Sequence, residues 1–377
     1  MKMIIKNLIR FAGVAVFFSS TALMAQATAP AAVPAPAAKI IKIATLAPEG
    51  TTLYKGLLAM KNEVLAKTGG KVDFQIYAGG VAGDEKDVVR KMRIGQLQGG
   101  AMTGVGMGMI EPEIRVLEQP FLFKNYSQAD AVYGALRSYF EGKFHEKGFE
   151  LLGWAEVGFV KIFSNKPITK KADLAGMKMW MWEGDPVSQA VYGALNVVPV
   201  PLAITDVMTS LATGLIDGCY APELAAIAFQ WHTKTKYMTD INLIDGTGGI
   251  LVASQEWAKL SADEQKIVKG VIADQAQKLI AQTRIDNGQS KQVLQAAGIQ
   301  IVQLTPEALA ELEGISKGVS TSLVGKLYPQ TLLDRVVQLA GNGGGAALAP
   351  ATAATGGPAV PVTQAAAAAP TPAPAPQ

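Results

Sequence analysis

The sequence predicts an α/β protein of two lobes braced by one long helix. Three observations carry this. Strand and helix periods alternate from Lys39 to about Gly99, and a second set of short apolar strands separated by helices begins near Leu151. A proline-free helical stretch then opens at Ser261 and runs to about Ala297. The core between the compositionally biased ends holds about 300 residues, enough for two domains of ordinary size.

Lys39 to Ala44 reads as a buried strand, and Tyr54 to Lys67 places Leu57, Leu58, Met60, Val64 and Leu65 at helical spacing before Gly69-Gly70 stops it. In Val72 to Tyr77 apolar and polar residues alternate, as in a half-buried strand. Asp84 is placed to cap a helix whose inner face is Val88, Val89, Met92 and Leu97. The cluster Gly99 to Gly108 follows, read as a tight turn or a close backbone approach at a cleft. In the second set, strands are expected at Leu151–Trp154, Val160–Ser164, Met177–Trp182 and Leu215–Cys219, with helices at Pro186–Leu195 and Ile204–Ala212. Ser261 and Glu264 have capping-box spacing, in which each side chain satisfies the other's orphan backbone N–H. At ~1.5 Å per residue the helix they open is roughly 50 Å long, enough to lie across both lobes. Thr305-Pro306 starts a last helical section. Lobe I is expected to comprise 39–157 with about 247–285, and lobe II 158–246 with about 286–340.

Lys2, Lys6 and Arg10 precede an apolar run from Phe11 to Met24 and the small residues Ala25 and Ala27. This is the order of a secretory signal peptide cleaved near residues 25–27, and the run is shorter than the ~20 residues of a spanning helix. An Ala/Pro linker over 28–38 and an uncharged Ala/Pro-rich tail over 341–377 are expected to be disordered, because they bring little side chain to bury. The formal charge of +3 gives neither a nucleic-acid footprint nor an anionic-membrane surface. The single cysteine, Cys219, has no partner for an internal disulfide.

Motifs for catalysis are thin. His145 and His232 are the only histidines and lack metal-pair spacing, and no G-x-S-x-G, Walker lysine loop or H-E-x-x-H occurs. Glu111 and Glu113 read as a solvated face. No catalytic residue, metal site or cofactor is expected.

From about Lys39 to Val336 the order of segments resembles the DctP-type substrate-binding proteins of TRAP transporters. The resemblance lies in Ile41-Lys42-Ile43-Ala44-Thr45, in Leu117 to Phe123, in Gly153 to Phe159, in Lys166-Pro167-Ile168 followed by Asp173 to Lys178, and in Ser210 to Gly218. It implies a two-lobed periplasmic binding protein with a cleft between the lobes, a long bridging helix, closure of the lobes on a ligand, and delivery to TRAP membrane subunits driven by an ion gradient.

The sequence departs from that pattern where relatives hold a carboxylate. The G-x-K-[IL]-R strand, whose arginine grips the ligand in typical relatives, here reads Gly176-Met177-Lys178-Met179-Trp180. Val160 stands after Gly158-Phe159 where the family has G-F-R, and Ala221 replaces the polar residue of an E-N-P turn in Cys219-Tyr220-Ala221-Pro222. An anion opposite such groups stays unpaired at a cost of several kcal/mol. Strand alternation puts Lys178, Trp180 and Trp182 on one face and Met177, Met179 and Met181 on the other. The resemblance turns Trp180 toward the cleft; the alternative is that the tryptophans fill the core. The resemblance to relatives that also lack the arginine implies a hydrophobic ligand and a helical-repeat periplasmic partner protein.

The leading expectation is a receptor for a small apolar or amphipathic molecule. Its pocket would combine Trp180, Trp182, Tyr220, Ala221, Val160, Phe159 and Ile204 with the polar groups Thr45, Thr103, Glu156, Glu183 and Asp206. A neutral or cationic polar ligand held on Trp faces, with Glu183 as counter-charge, is the second binding reading. The reading of a different class is a periplasmic hydrolase using Glu156, Glu183 or Asp206, against which the missing nucleophile and metal sets count.

Overall fold

A computed structural model of the chain describes residues 38–343. The expected signal peptide, all of the linker before Ala38, and the tail from residue 344 lie outside them.

The first sheet is built from β1 (Lys39–Thr45), α1 (Thr52–Lys67), β2 (Val72–Tyr77), α2 (Glu85–Arg93), β3 (Gly99–Thr103), α3 (Gly104–Ile110), α4 (Tyr126–Glu146) and β4 (Phe149–Phe159). The second takes β5 (Lys161–Ser164), β6 (Lys178–Trp182), α5 (Pro186–Leu195), β7 (Val198–Leu202), α6 (Val207–Thr213), β8 (Gly218–Ala221), α7 (Glu223–Ala228) and β9 (Tyr237–Thr239). The chain returns to the first sheet through β10 (Asp245–Ala253) and α8 (Ser254–Trp257), and then runs through α9 (Ala262–Ala296), β11 (Gln300–Val302), α10 (Pro306–Ser322) and α11 (Gln330–Gly343). Strand order is β2-β1-β3-β10-β4 in one sheet and β11-β9-β5-β8-β6-β7 in the other. In the first, β1 is parallel to β2 and β3, while β10 lies antiparallel to β3 and β4.

Local chemistry explains the helix that joins the lobes. Ser261 accepts from the Glu264 backbone N–H while the Glu264 carboxylate accepts from that of Ser261, closing the capping box that opens α9. The buried stripe of α9 changes character along its length. Val268, Val271, Ile272, Ala276 and Leu279 enter the core under the first sheet, whereas Leu294 enters the core of the second. Two glycines let α9 sit close: a Cβ on Gly56 of α1 would meet Leu279 at 2.7 Å, and one on Gly153 of β4 would meet Ile272 at 2.7 Å. Where the helix passes between lobes, Asn287 donates to the Val157 carbonyl (3.0 Å) and accepts from the Leu224 backbone N–H (3.0 Å).

The structure corrects several boundaries. Leu151–Trp154 does not open the second set; it lies inside β4, which pairs with β10 from Phe149 to Phe159 in the first sheet. The strand expected at Leu215–Cys219 begins only at Gly218, because Gly214 ends α6 in the left-handed region (φ 73°) and Leu215 is left exposed. Leu97 is buried but lies beyond the end of α2. The Gly99 to Gly108 cluster is a strand followed by a helix rather than a turn. Glu111 is buried, capping the 3-10 turn Pro112–Glu118 by accepting from the Glu113 N–H at 3.1 Å, so it is no solvated face. The helix α11 reaches Gly343, three residues into the expected tail, and buries Leu332, Leu333 and Val336 in the core that holds Leu136 and Phe140 of α4. It thus packs with the first sheet's helices and not, as expected for 286–340, with lobe II. Among the described residues no helix is long and apolar enough to cross a membrane.

Candidate functional site

A cavity of about 240 Å³ lies between the two sheets. Its aromatic wall comes from β6 and β8. Alternation along β6 turns Trp180 and Trp182 to the same side, and Tyr220 of β8 stacks on Trp180 with ring centroids 4.8 Å apart. Trp182 and Trp231 complete the cluster at 5.1 and 5.2 Å from Trp180. Trp180 is fully buried, its indole N–H donating to the Leu202 carbonyl (3.0 Å) and its own carbonyl accepting from the Tyr192 hydroxyl (2.7 Å). It therefore both fills the core and forms the cavity wall. Val160, Ile204 and Ala221 add apolar wall, while Thr45 and Thr103 border it from the first sheet.

Four expected site residues are elsewhere. Phe159 packs on Tyr126 (4.6 Å) outside the cavity. Glu156 is on the other side of β4 from its cavity-lining neighbours Ala155 and Val157; its carboxylate takes two hydrogen bonds from Arg284 (2.8 and 2.6 Å), whose guanidinium also grips Asp130. That network fastens α9 and α4 to the sheet. Glu183 is exposed and paired with Lys86 at 2.9 Å, and Asp206 is exposed ahead of α6. The hydrolase reading thus loses its shared site, because its three carboxylates do not converge.

In their place the structure brings up a buried charged cluster that no sequence motif marked. Arg115 donates to Asp185 (2.8 Å) and has a second guanidinium nitrogen 2.6 Å from Glu118, whose other oxygen accepts from the Thr247 N–H (2.9 Å). Glu85 accepts from the Thr103 N–H, the Thr103 hydroxyl and the Gly106 N–H, each at 2.7 Å. Burial pushes the Glu85 carboxyl up to about 7 and raises that of Glu118. The glycines of α3 exist for these side chains: a Cβ on Gly104 would meet the Glu118 carboxylate at 2.4 Å, one on Gly106 would meet Glu85 at 2.7 Å, and one on Gly108 would meet Arg115 at 2.6 Å. Three glycines at every second position of a helix, each costing ~1 kcal/mol against alanine, are the only trace of this cluster in the sequence, and they do not name the side chains they admit.

The same groups hold the lobes together. Arg115 belongs to the first lobe and Asp185, which caps α5, to the second. Asp84, the cap of α2, accepts from the Trp182 indole (3.0 and 3.1 Å) and from the Ile204 N–H (2.9 Å).

Comparison with known proteins fits this architecture. The model of the DctP family, bacterial extracellular solute-binding protein family 7, matches residues 43–323. The chain belongs to this family. This family 7 protein is 31% identical over 248 residues to a solute-binding protein of Verminephrobacter eiseniae, a match covering 64% of this chain and 72% of that one. It is 26% identical over 286 residues to the C4-dicarboxylate-binding periplasmic protein DctP of Rhodobacter capsulatus, covering 74% and 85%. Among solved structures it resembles a TRAP periplasmic solute-binding protein of Ralstonia eutropha with bound (S)-2-acetolactate (TM-score 0.76, 21% identity, 81% of this chain and 99% of that one). The galactonate complex of a sugar acid binding protein from Advenella mimigardefordensis is also similar (TM-score 0.77, 20% identity, 81% and 99%). This family 7 protein is an extracellular solute-binding protein, a receptor for a small molecule and not an enzyme.

Proposed function

We propose that this receptor binds an apolar or amphipathic ligand that carries no carboxylate, and hands it to its TRAP membrane subunits. The observation that supports this reading most is the charge on the cavity wall. Arg115 is the one cation among the described residues lining the cavity, and it is already engaged by Glu118 and Asp185. An incoming carboxylate would meet three acidic side chains (Glu85, Glu118, Asp185) and a guanidinium already paired with two of them, of which only Nε and Nη1 make no hydrogen bond, and desolvating it there would cost several kcal/mol. The places where the family's arginines are expected hold Trp180 and Val160, both buried on the wall. The names of relatives such as the C4-dicarboxylate-binding DctP speak for acids; the apolar reading rests instead on the expectation that the arginine's place is taken here by Trp180 and Val160. The excess of acidic groups favours, as a second reading, a neutral or cationic head against the aromatic wall, with the buried cluster rather than Glu183 as counter-charge.

A thermal-shift panel separates the readings. A ligand at ~100 times its Kd stabilises the folded state by about 2.7 kcal/mol, a shift of several degrees for a chain this size. Long-chain alcohols or aromatic compounds are expected to raise Tm, while succinate, galactonate and lactate leave it unchanged. Micromolar, saturable binding of a small carboxylate with no response to any apolar compound would refute the apolar reading; a response confined to quaternary ammonium compounds would establish the second.

The division into lobes proposed with this reading is 39–157 with about 247–285, and 158–246 with 286 onward as far as α10. Loss of the leader near residues 25–27 and docking to a helical-repeat periplasmic partner belong to the same reading. The intact mass of the exported protein is expected to lack Met1 and the apolar run; a mass that retains them contradicts cleavage.

A further inference from the structure

The cavity does not end at the tryptophans. β8 registers with β6 only at the pair Met179–Gly218, so the two strands part beyond it. The cavity wall accordingly includes Trp180 from one face of β6 and Met179 from the other. These residues belong to different apolar cores, and the same wall also takes Leu57 and Leu279 from the core under the first sheet and Val319 from the core beside α4. One space therefore borders all four cores.

Its two extremes differ in chemistry. At one, Leu312, Ile315 and Val319 of α10 line it together with Val191 and Leu195 of α5, the helix against which α10 packs. This end is apolar. At the other, α9 contributes Leu279 and Thr283. Thr283 is completely buried and its hydroxyl has no hydrogen-bond partner. A buried hydroxyl left unpaired costs free energy that a bound hydrogen-bonding group would recover.

We infer that the ligand is an elongated single-chain amphiphile whose uncharged hydrogen-bonding end group meets the Thr283 hydroxyl and whose chain passes from the Trp180 side of β6 to its Met179 side, through the gap where β8 parts from β6, to end under α10. This rests on the apolar reading above and adds shape, direction and a length limit. Leu312 and Ile315 set the longest chain admitted. A linear alcohol fits both ends: its hydroxyl exchanges a hydrogen bond with Thr283, and its chain touches only apolar wall at the other extreme. A dicarboxylate or a compact polyol has nothing to place beneath α10.

Isothermal titration of the full chain with linear alcohols from n-octanol to n-hexadecanol tests this. Each methylene buried is expected to tighten binding about fourfold until the space under α10 is full. Ile315→Trp, at a half-buried position on α10, is expected to leave n-octanol binding unchanged and to stop the gain at a shorter chain, weakening n-hexadecanol roughly tenfold or more. Should that variant fail to fold by circular dichroism, Leu312→Phe makes the same test with less added volume. Thr283→Val keeps the shape and removes the hydroxyl, and is expected to weaken every alcohol by a similar factor of roughly five or more. If the wild type binds the alcohols and the α10 variant reproduces its dependence on chain length, the route under α10 is wrong while the apolar reading stands. If the wild type binds none of them, that reading falls and this inference with it.

Discussion

Replacing Arg115 by methionine is expected to destabilise the protein by about 3–5 kcal/mol at neutral pH, the usual effect of removing one partner of a buried ion pair. The reason is what remains. Glu118 and Asp185 are almost fully shielded from water, with side chains 5% and 3% exposed, and each would keep its hydrogen bonds to backbone but lose its cation. The loss also removes a tie between the lobes, so the variant is expected to bind ligand more weakly as well as to unfold more easily. Urea titrations at pH 5 and pH 8 give the sign. Glu118 is already raised by burial even beside Arg115. A carboxyl whose folded pKa lies above its unfolded one holds a proton that the unfolded chain releases, so its presence lowers stability as pH rises from the ordinary value near 4.5 through the raised one. Glu85 gives the wild type such a slope up to about pH 7, of at most ~1.4 kcal/mol per pH unit. Arg115→Met is expected to steepen the fall, making the difference between variant and wild type small at pH 5 and large at pH 8. Adding Asp185→Asn, which retains a good cap for α5, should restore part of the stability. A variant as stable as the wild type at pH 8 would show that the cluster carries no net charge burden.

The contrast between α9 and Arg115 shows what the sequence makes legible. The capping box of Ser261 and Glu264 spans three residues, and every hydrogen bond in it is local. Its spacing alone therefore gave the start of α9, and the lack of proline gave its length. Arg115 and Asp185 are separated by 70 positions. No periodicity relates them, and charged residues in a short 3-10 turn read by default as solvent-facing. That Trp180 and Trp182 share a face was readable because Met177–Trp182 alternates between two kinds of side chain; that this face meets the cavity followed only from the family resemblance.

No such rule was available at Glu156, for a physical reason. β4 is buried along nearly its whole length, so Phe149 to Phe159 carries no polar phase from which to tell which side meets the cavity. Arg284, the partner that makes Glu156 structural, lies 128 residues away. Glu183 and Asp206 were expected at the pocket, yet one follows the end of β6 and the other closes the 3-10 turn Ile204–Asp206 just ahead of α6, and both side chains are exposed. Where α11 packs went unread because nothing local says which sheet it will cover; its amphipathic face is satisfied mainly by α4, nearly 200 positions earlier, and by the Pro112–Glu118 turn.

Trp180→Arg tests the wall itself, and its effect on ligand is expected to be as large as its effect on folding. The indole is 1% exposed, donates to the Leu202 carbonyl, and touches the rings of Trp182, Tyr220 and Trp231. Removing a buried tryptophan costs ~3–5 kcal/mol in lost packing alone, and the guanidinium adds an unpaired charge among aromatic groups. At 2–4 °C per kcal/mol for a chain of this size, Tm is expected to fall by roughly 10 °C. The control is Trp180→Phe, which keeps an aromatic wall and loses the indole donor; it should lower Tm by less and retain apolar ligands at reduced affinity. Calorimetry on the folded fraction of each variant then reads the wall's role. Trp180→Arg is expected to lose long-chain alcohols altogether. Equal alcohol affinity in Trp180→Arg and wild type would mean that the ligand never approaches β6, and the apolar wall would then be packing that happens to face a void. Gain of succinate or galactonate binding by Trp180→Arg would support the apolar reading from the other direction, because a single guanidinium would then be all that separates this cavity from a carboxylate site.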